Sequence, residues 1–290
     1  MSHDPLTILL ESLDLTALDD DRYEGRSIEA DRPRLFGGEL LAQTLVAAAR
    51  TAEDRICHSL HLNFLFPGNP ALPIEYRVRR VRDGRRFAHR QVSAWQRGRE
   101  IALATVSFTM GPQDSRDHQH APMPAVPDPE GLRSELDERL AVADRMRDDD
   151  RQWLLTPRAV DIRQARPVPL FDPEPVAPEA QTWIRAVGQL PDDQNLHCAV
   201  FAYASDMTLL DIACYPHGVS WIDDRMEQAS LDHALWFHRP FRCDDWLLYV
   251  QAVPVQAGGR AFARASVLTR AGTLVASVAQ EGLSRFREGE

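Results

Sequence analysis

The 290-residue sequence contains no lysine, so all 33 of its basic side chains are arginine. Against 43 acidic residues they leave a formal net charge of −10. Proteins that bind nucleic acid generically do so by neutralising phosphates and carry the opposite balance, so that class is excluded. Long apolar runs are missing as well. None approaches the roughly 20 residues that cross a bilayer as a helix, and no membrane association is expected. No secretory leader opens the chain, and its ending, Arg287-Glu-Gly-Glu290, is not a Ser-Lys-Leu address, so a reducing cytoplasm is the expected location. Cysteine is scarce: Cys57, Cys198, Cys214 and Cys243 stand apart without a C-x-x-C pair, which argues against a disulfide framework or a zinc site. No serine sits in a Gly-x-Ser-x-Gly elbow, which disfavours an α/β-hydrolase triad. What remains is a chain of 44% hydrophobic and 26% charged residues, able to bury a full core in one large domain or two ordinary ones.

An amphipathic turn (Leu6, Ile8, Leu9, Leu10, Leu13) is followed by a polar loop ending at Pro33, and Phe36-Gly37-Gly38 then leads into an apolar run, 39–50, that reads as a buried helix. Strands are expected near 56–66, 73–82, 86–96 and 100–109, separated by the turns Pro67-Gly68, Asp83-Gly84 and Arg97-Gly98. Prolines cluster at 112–129, and an acidic, arginine-bearing helix at roughly 130–147 runs up to Asp148-Asp-Asp150, so 111–152 reads as a surface linker. Further strands at 157–164 and 180–187 flank a second proline-rich loop.

From residue 194 the first half is replayed. The helical stretch 194–213 answers the helix after Gly38, and Ser59–Phe66 answers Ser230–Phe237. The turn and strand 83–90 answer 257–264, and 98–106 answer 272–280. The copies are 171 residues apart from Ser59 to Ser230 and 175 from Phe87 to Phe262, so the drift is small. A helix followed by four sequential strands makes an antiparallel sheet with one face to cover, and the apolar helix covers it. That is a hotdog arrangement. The expected fold is α+β, a tandem (double) hotdog of two antiparallel sheets each wrapping a helix, with an N-terminal unit at 1–110, a linker at 111–152 and a C-terminal unit at 153–290. Sites in such folds favour the interface between halves.

Three polar residues stand out in the second copy. Asp206, in Tyr203-Ala-Ser-Asp206, lies between two apolar runs, at a helix start or break where a carboxylate needs partners. Ser230 and Gln280 lie in strand-like stretches. A carboxylate, a hydroxyl and an amide, none of them a strong nucleophile, suit the holding and deprotonation of a water. The plainer readings are a helix N-cap for Asp206 and an ordinary strand serine for Ser230. Gln280 replaces Val106 of the first copy on an inward face, which favours a role for it. His58 and His61 are three apart in a strand and so point to opposite faces, and His233 and His238 lack a metal-binding set, so no metal or cofactor is expected. The arginines crowded between Arg77 and Arg99 suit either the phosphates of a ligand or a solvated strand face. The stripe Leu40, Leu41, Leu45, Val46 is core whether or not it also lines a pocket.

Phe36-Gly-Gly-Glu39, Leu60-His-Leu-Asn-Phe-Leu-Phe-Pro-Gly68, Tyr203-Ala-Ser-Asp206, Pro216-His-Gly218, Leu231-Asp-His-Ala-Leu-Trp-Phe-His-Arg-Pro-Phe241, Asp245-Trp-Leu-Leu-Tyr249 and Ala279-Gln-Glu-Gly282 together resemble the acyl-CoA thioesterase II family of double-hotdog enzymes. The resemblance covers nearly the whole chain and is weakest in the linker. It implies hydrolysis of fatty acyl-CoA by a water held by Asp206, Ser230 and Gln280, without a covalent intermediate. It also implies a homodimer or homotetramer. Gly37 and Gly38 are candidates for contact with the thioester oxygen, and His61 and His233 for weaker substrate contacts. One departure is Glu39, where the family usually has Gln; in the repeat Glu39 answers Asp206, and with Val106 opposite Gln280 the first half lacks the amide for a second full site. Two rivals share the fold. A hotdog enoyl-CoA hydratase would want a histidine five residues after the acid, where this chain has Asp211, and a non-catalytic acyl-CoA sensor would keep the pocket without turnover.

Overall fold

The computed structural model describes residues 4–28, 34–111 and 116–287; Pro33, Pro112 and the last three residues lie outside it. Helix α1 (Pro5–Leu13) is capped by Asp4, whose carboxylate accepts from Thr7 N, and buries Leu6, Leu9 and Leu13. Two short strands, β1 (Thr16–Asp19) and β2 (Arg22–Gly25), precede helix α2 (Gly37–Ala49). Strands β3 (Ile56–Phe64), β4 (Ile74–Asp83), β5 (Phe87–Gln96) and β6 (Arg99–Thr109) complete the first half, within a few residues of their expected spans. The turn between β5 and β6 puts both Arg97 (φ 49°) and Gly98 (φ 77°) in the left-handed region that a two-residue hairpin requires.

After the short helices α3 (Glu135–Leu140) and α4 (Asp148–Leu154), the second half repeats the order: β7 (Val160–Gln164), β8 (Glu179–Ala186) and helix α5 (Gln194–Ser205). Then come β9 (Met226–Ser230), β10 (Asp232–Phe237), β11 (Leu247–Ala257), β12 (Arg260–Thr269) and β13 (Leu274–Phe286). All strand pairs are antiparallel, in the order β1-β2-β4-β5-β6-β3-β10-β13-β12-β11-β8-β7, with β9 on β13. Read from its centre outward, this order is the same in both directions, so the duplication seen in the sequence is present in the topology. The two sheets are joined edge to edge where β3 meets β10 (Leu60 opposite Leu235, Leu62 opposite His233). Pairing these two strands removes what would otherwise be exposed edges.

Helix α2, apolar on most sides, is buried all round from Gly38 to Leu45, and it packs on α5 and on β3 to β6. Leu40, Leu41 and Leu45 are each stabilising by roughly 2 kcal/mol through removal from water. On the other side Phe201 of α5 packs edge-on against Tyr249 of β11 and Phe241. The four cysteines are buried and unpaired. No helix among the described residues is long and apolar enough to cross a membrane.

The linker is not the single helix its composition predicts. Leu132 (ψ 148°) and Met146 (ψ 143°) are extended, and each is drawn into the protein: Leu132 packs beside Trp183 and Trp246, and Met146 is buried. What remains α-helical is α3, opened by a capping box between Ser134 and Asp137. Arg139 of α3 is buried, bonds Glu135 at 2.6 Å and donates to the Leu154 carbonyl. Burial, with the Glu135 charge next in importance, pushes Asp211 up to about 8. The folded protein therefore keeps a proton that the unfolded chain releases near its ordinary value of 3.8, so stability falls as pH rises between the two and is level above. Asp211→Asn removes that loss. Its stability relative to the unmodified protein is expected to improve by about 3.5 kcal/mol between pH 5 and pH 8, read by urea denaturation at both.

Candidate active site

The inward face of β13 carries Ala276, Val278, Gln280, Gly282 and Ser284 in alternation, all buried. Gln280 is 1% exposed. Its amide nitrogen lies 2.8 Å from Asp206 Oδ1 and 2.8 Å from Ser230 Oγ, so one NH2 group bridges the other two residues. A carboxylate only accepts, which fixes the nitrogen rather than the oxygen of Gln280 on that side. Ser230 is placed by register: as the last residue of β9 it stands opposite Gly282 on β13. The three residues singled out in the second copy are thus together.

Of the two positions the sequence left open for Asp206, a helix start or a break, the structure shows the break. Asp206 is neither the start nor the N-cap of a helix. Asp193 caps α5, accepting from Asn195 N at 2.8 Å, and Asp206 follows the last residue, Ser205. The helix expected at 194–213 ends there, and a 3-10 segment, Asp211–His217, takes up after it. A carboxylate at a helix C-terminus meets the negative end of the dipole. The offsetting positive end comes from the other half of the chain, since α2 begins beside it. A Cβ added at Gly37 would fall 2.5 Å from Asp206 Oδ2, and one at Gly38 2.3 Å from the Tyr203 carbonyl. The pairing of Glu39 with Asp206 in the repeat is also corrected: Glu39 is the third residue of α2 and Asp206 the residue just past α5, so they occupy opposite ends of equivalent helices. Glu39 is buried and accepts from Ser27 Oγ at 2.7 Å and Ile28 N at 3.0 Å, which ties down the chain leading into α2.

His233 is fully buried and reaches Asp206, with Nδ1 3.4 Å from Oδ1. Its other nitrogen lies 2.9 Å from Ser205 Oγ, and Tyr249 OH donates to the Ser205 carbonyl at 3.1 Å. Burial, helped by the Asp206 charge, holds the Tyr249 phenol well above its ordinary range, so it stays a neutral donor. Sequence reasoning placed His233 only as a weak substrate contact and missed Ser205 and Tyr249. The available signal was the alternation of β10, which turns His233 inward with Leu235 and Phe237. His61 is not part of the cluster; half-exposed on β3, it sits 3.2 Å from Asp232. The crowded arginines are largely held elsewhere: Arg77 by Glu75, Arg80 by Asp21, and buried Arg90 by Thr51 and Asp83. Surface hollows beside Phe171 and beside Leu196 lie away from these residues. No group of side chains suited to a metal ion occurs among the described residues.

Residues 158–283 match the family profile of acyl-CoA thioesterase, and residues 28–109 match that of the acyl-CoA thioesterase N-terminal domain. Human acyl-coenzyme A thioesterase 8 is 37% identical over 286 residues, 95% of this chain and 88% of that protein. The chain belongs to the acyl-CoA thioesterase II family. An acyl-CoA thioesterase II from Mycobacterium marinum aligns with this thioesterase at a TM-score of 0.79 and 38% identity, covering 97% of this chain and all of the other. A hot dog fold protein from Alicyclobacillus acidocaldarius, at 20% identity and a TM-score of 0.77 over 97% of this chain and 98% of its own, shares the fold. The thioesterase is a tandem hotdog.

Proposed function

We propose that the thioesterase hydrolyses fatty acyl-CoA to free acid and CoA with a single water held by Asp206, Ser230 and Gln280. The observation that carries this reading is the Gln280 amide bridging Asp206 and Ser230 at 2.8 Å each. With both N–H groups so used, Gln280 Oε1 is buried and has no protein donor among the described residues, leaving it to accept from the water. Asp206 takes the second water proton as oxygen attacks the thioester carbon. The carbonyl oxygen becomes an oxyanion, met by the opening amides of α2, which as the first N–H groups of a helix have no acceptor within it. Collapse of the tetrahedral adduct breaks the C–S bond, and the proton on Asp206 goes to the departing sulfur. No protein atom bonds to the acyl group.

The test is thiol release from saturated acyl-CoAs, followed by a single turnover in 18O-water. Free thiol is expected, with the label in the released acid and none in the protein. Absence of thiol release would favour a non-catalytic acyl-CoA binder, and label in the Asp206 carboxylate would replace the direct attack by an anhydride.

A further inference from the structure

Behind Asp206, on the side away from α2, runs a series of buried polar groups whose hydrogens can be counted. His233 Nδ1 faces Asp206 Oδ1 at 3.4 Å, and His233 Nε2 faces Ser205 Oγ at 2.9 Å. Ser205 Oγ also lies 2.9 Å from the Ala202 carbonyl. The hydroxyl has one hydrogen. If it goes to Ala202, Nε2 must donate to Ser205. Should it go to Nε2 instead, that nitrogen is bare and the ring carries its hydrogen on Nδ1. A ring with hydrogen on Nε2 alone would turn the Nδ1 lone pair against the ionised carboxylate, buried at 5% side-chain exposure. With Asp206 ionised, both allowed arrangements place a hydrogen on Nδ1.

We infer that His233 is a positioning residue for the water-activating carboxylate, an inference that rests on the reading of Asp206 given above. His233 Nδ1, which has no hydrogen-bond partner among the described residues, faces Oδ1 at ion-pair distance, 3.4 Å, while the Gln280 amide donates to the same oxygen at 2.8 Å. The Gln280 hydrogen bond and the ring facing the same oxygen limit the rotation of the carboxylate and leave Oδ2 turned toward Gly37, the side where α2 begins. The ring is held by β10 and by Ser205, and Ser205 is held by the Tyr249 hydroxyl from β11. The carboxylate is thereby aimed by three separate elements of the second half. His233 touches neither water nor substrate in this arrangement and acts through Asp206.

Two substitutions separate aiming from filling space. Gln at 233 extends a nitrogen to where Nε2 stands and offers nothing at Nδ1; Asn places a nitrogen near Nδ1 and nothing at Nε2. Steady-state kcat and KM on a saturated acyl-CoA are measured for His233→Gln, His233→Asn, Asp206→Asn and the unmodified protein. His233→Gln is expected to lose roughly 30–100-fold in kcat with KM within about twofold, and His233→Asn to recover to within about tenfold of the unmodified enzyme. Equal losses in the two variants, or a loss confined to KM, would overturn the inference. So would full activity in His233→Gln. Full activity in Asp206→Asn would instead remove the reading of the site on which the inference stands. Because a buried histidine is replaced, long-range 15N–1H correlation on the unmodified protein gives an answer independent of variant folding. The His233 ring should show a hydrogen on Nδ1, and a bare Nδ1 with Asp206 ionised would refute the proposed contact.

Discussion

Asp206→Asn should give a folded protein that still binds acyl-CoA but releases thiol about 10³-fold more slowly, the scale of a lost general base. Asn is the same size, and its carbonyl can still accept from the Gln280 amide, so the bridge to Ser230 survives. What goes is the second oxygen. An NH2 group in its place cannot take a proton, and it turns donors toward the positive start of α2. Stability is expected to stay level or rise, because a buried carboxylate at the C-terminus of α5 is there at the expense of the helix. Thiol release and a thermal melt on the same sample decide the matter. A rate within tenfold of the unmodified enzyme would remove Asp206 from the role of base.

Gly38→Ala should destabilise the protein by about 3 kcal/mol or more and abolish activity along with it. Helix propensity alone predicts the opposite sign, a gain of about 1 kcal/mol for replacing glycine inside a helix. The steric term wins because the new Cβ would stand 2.3 Å from the Tyr203 carbonyl, a backbone atom of α5 that cannot swing aside. The two helices must part, and the start of α2 withdraws from Asp206. Gly37→Ala makes a useful control. Its Cβ meets the Asp206 carboxylate at 2.5 Å and the Phe64 ring at 2.9 Å, both side chains able to move, so it should melt closer to the unmodified protein while losing rate. A Gly38→Ala protein with an unchanged melting temperature would show that the helix contact has more room than its geometry allows.

The strands were legible because β5 and β13 alternate in burial almost residue by residue and their turns carry Gly. Helix α2 was legible because it is rich in helix formers and apolar on most sides. The three candidate site residues were reached through motif resemblance and the polar exception at Gln280, not through their spacing. What could not be read was direction: nothing in Tyr203-Ala-Ser-Asp206 says that α5 stops there, whereas Asp193, ahead of the apolar run, was an available start signal. Leu132 and Met146 show why the linker misled, since their extended backbone is set by burial against distant residues rather than by local preference. The contact of His233 with Asp206 depends on two elements meeting and has no local signature.

The two helices lie so that the start of each half's helix meets the end of the other's, which generates two corresponding places in the molecule. At one, the residue closing α5 is Asp206; at the other, the residue closing α2 is Arg50, whose guanidinium is occupied by Asp14 and the Leu15 carbonyl. A cation already engaged cannot draw a proton from water. With Asp206 as the proposed base, each chain is expected to hold a single working centre despite its doubled architecture, and an inhibitor mimicking the tetrahedral adduct should titrate one equivalent per polypeptide.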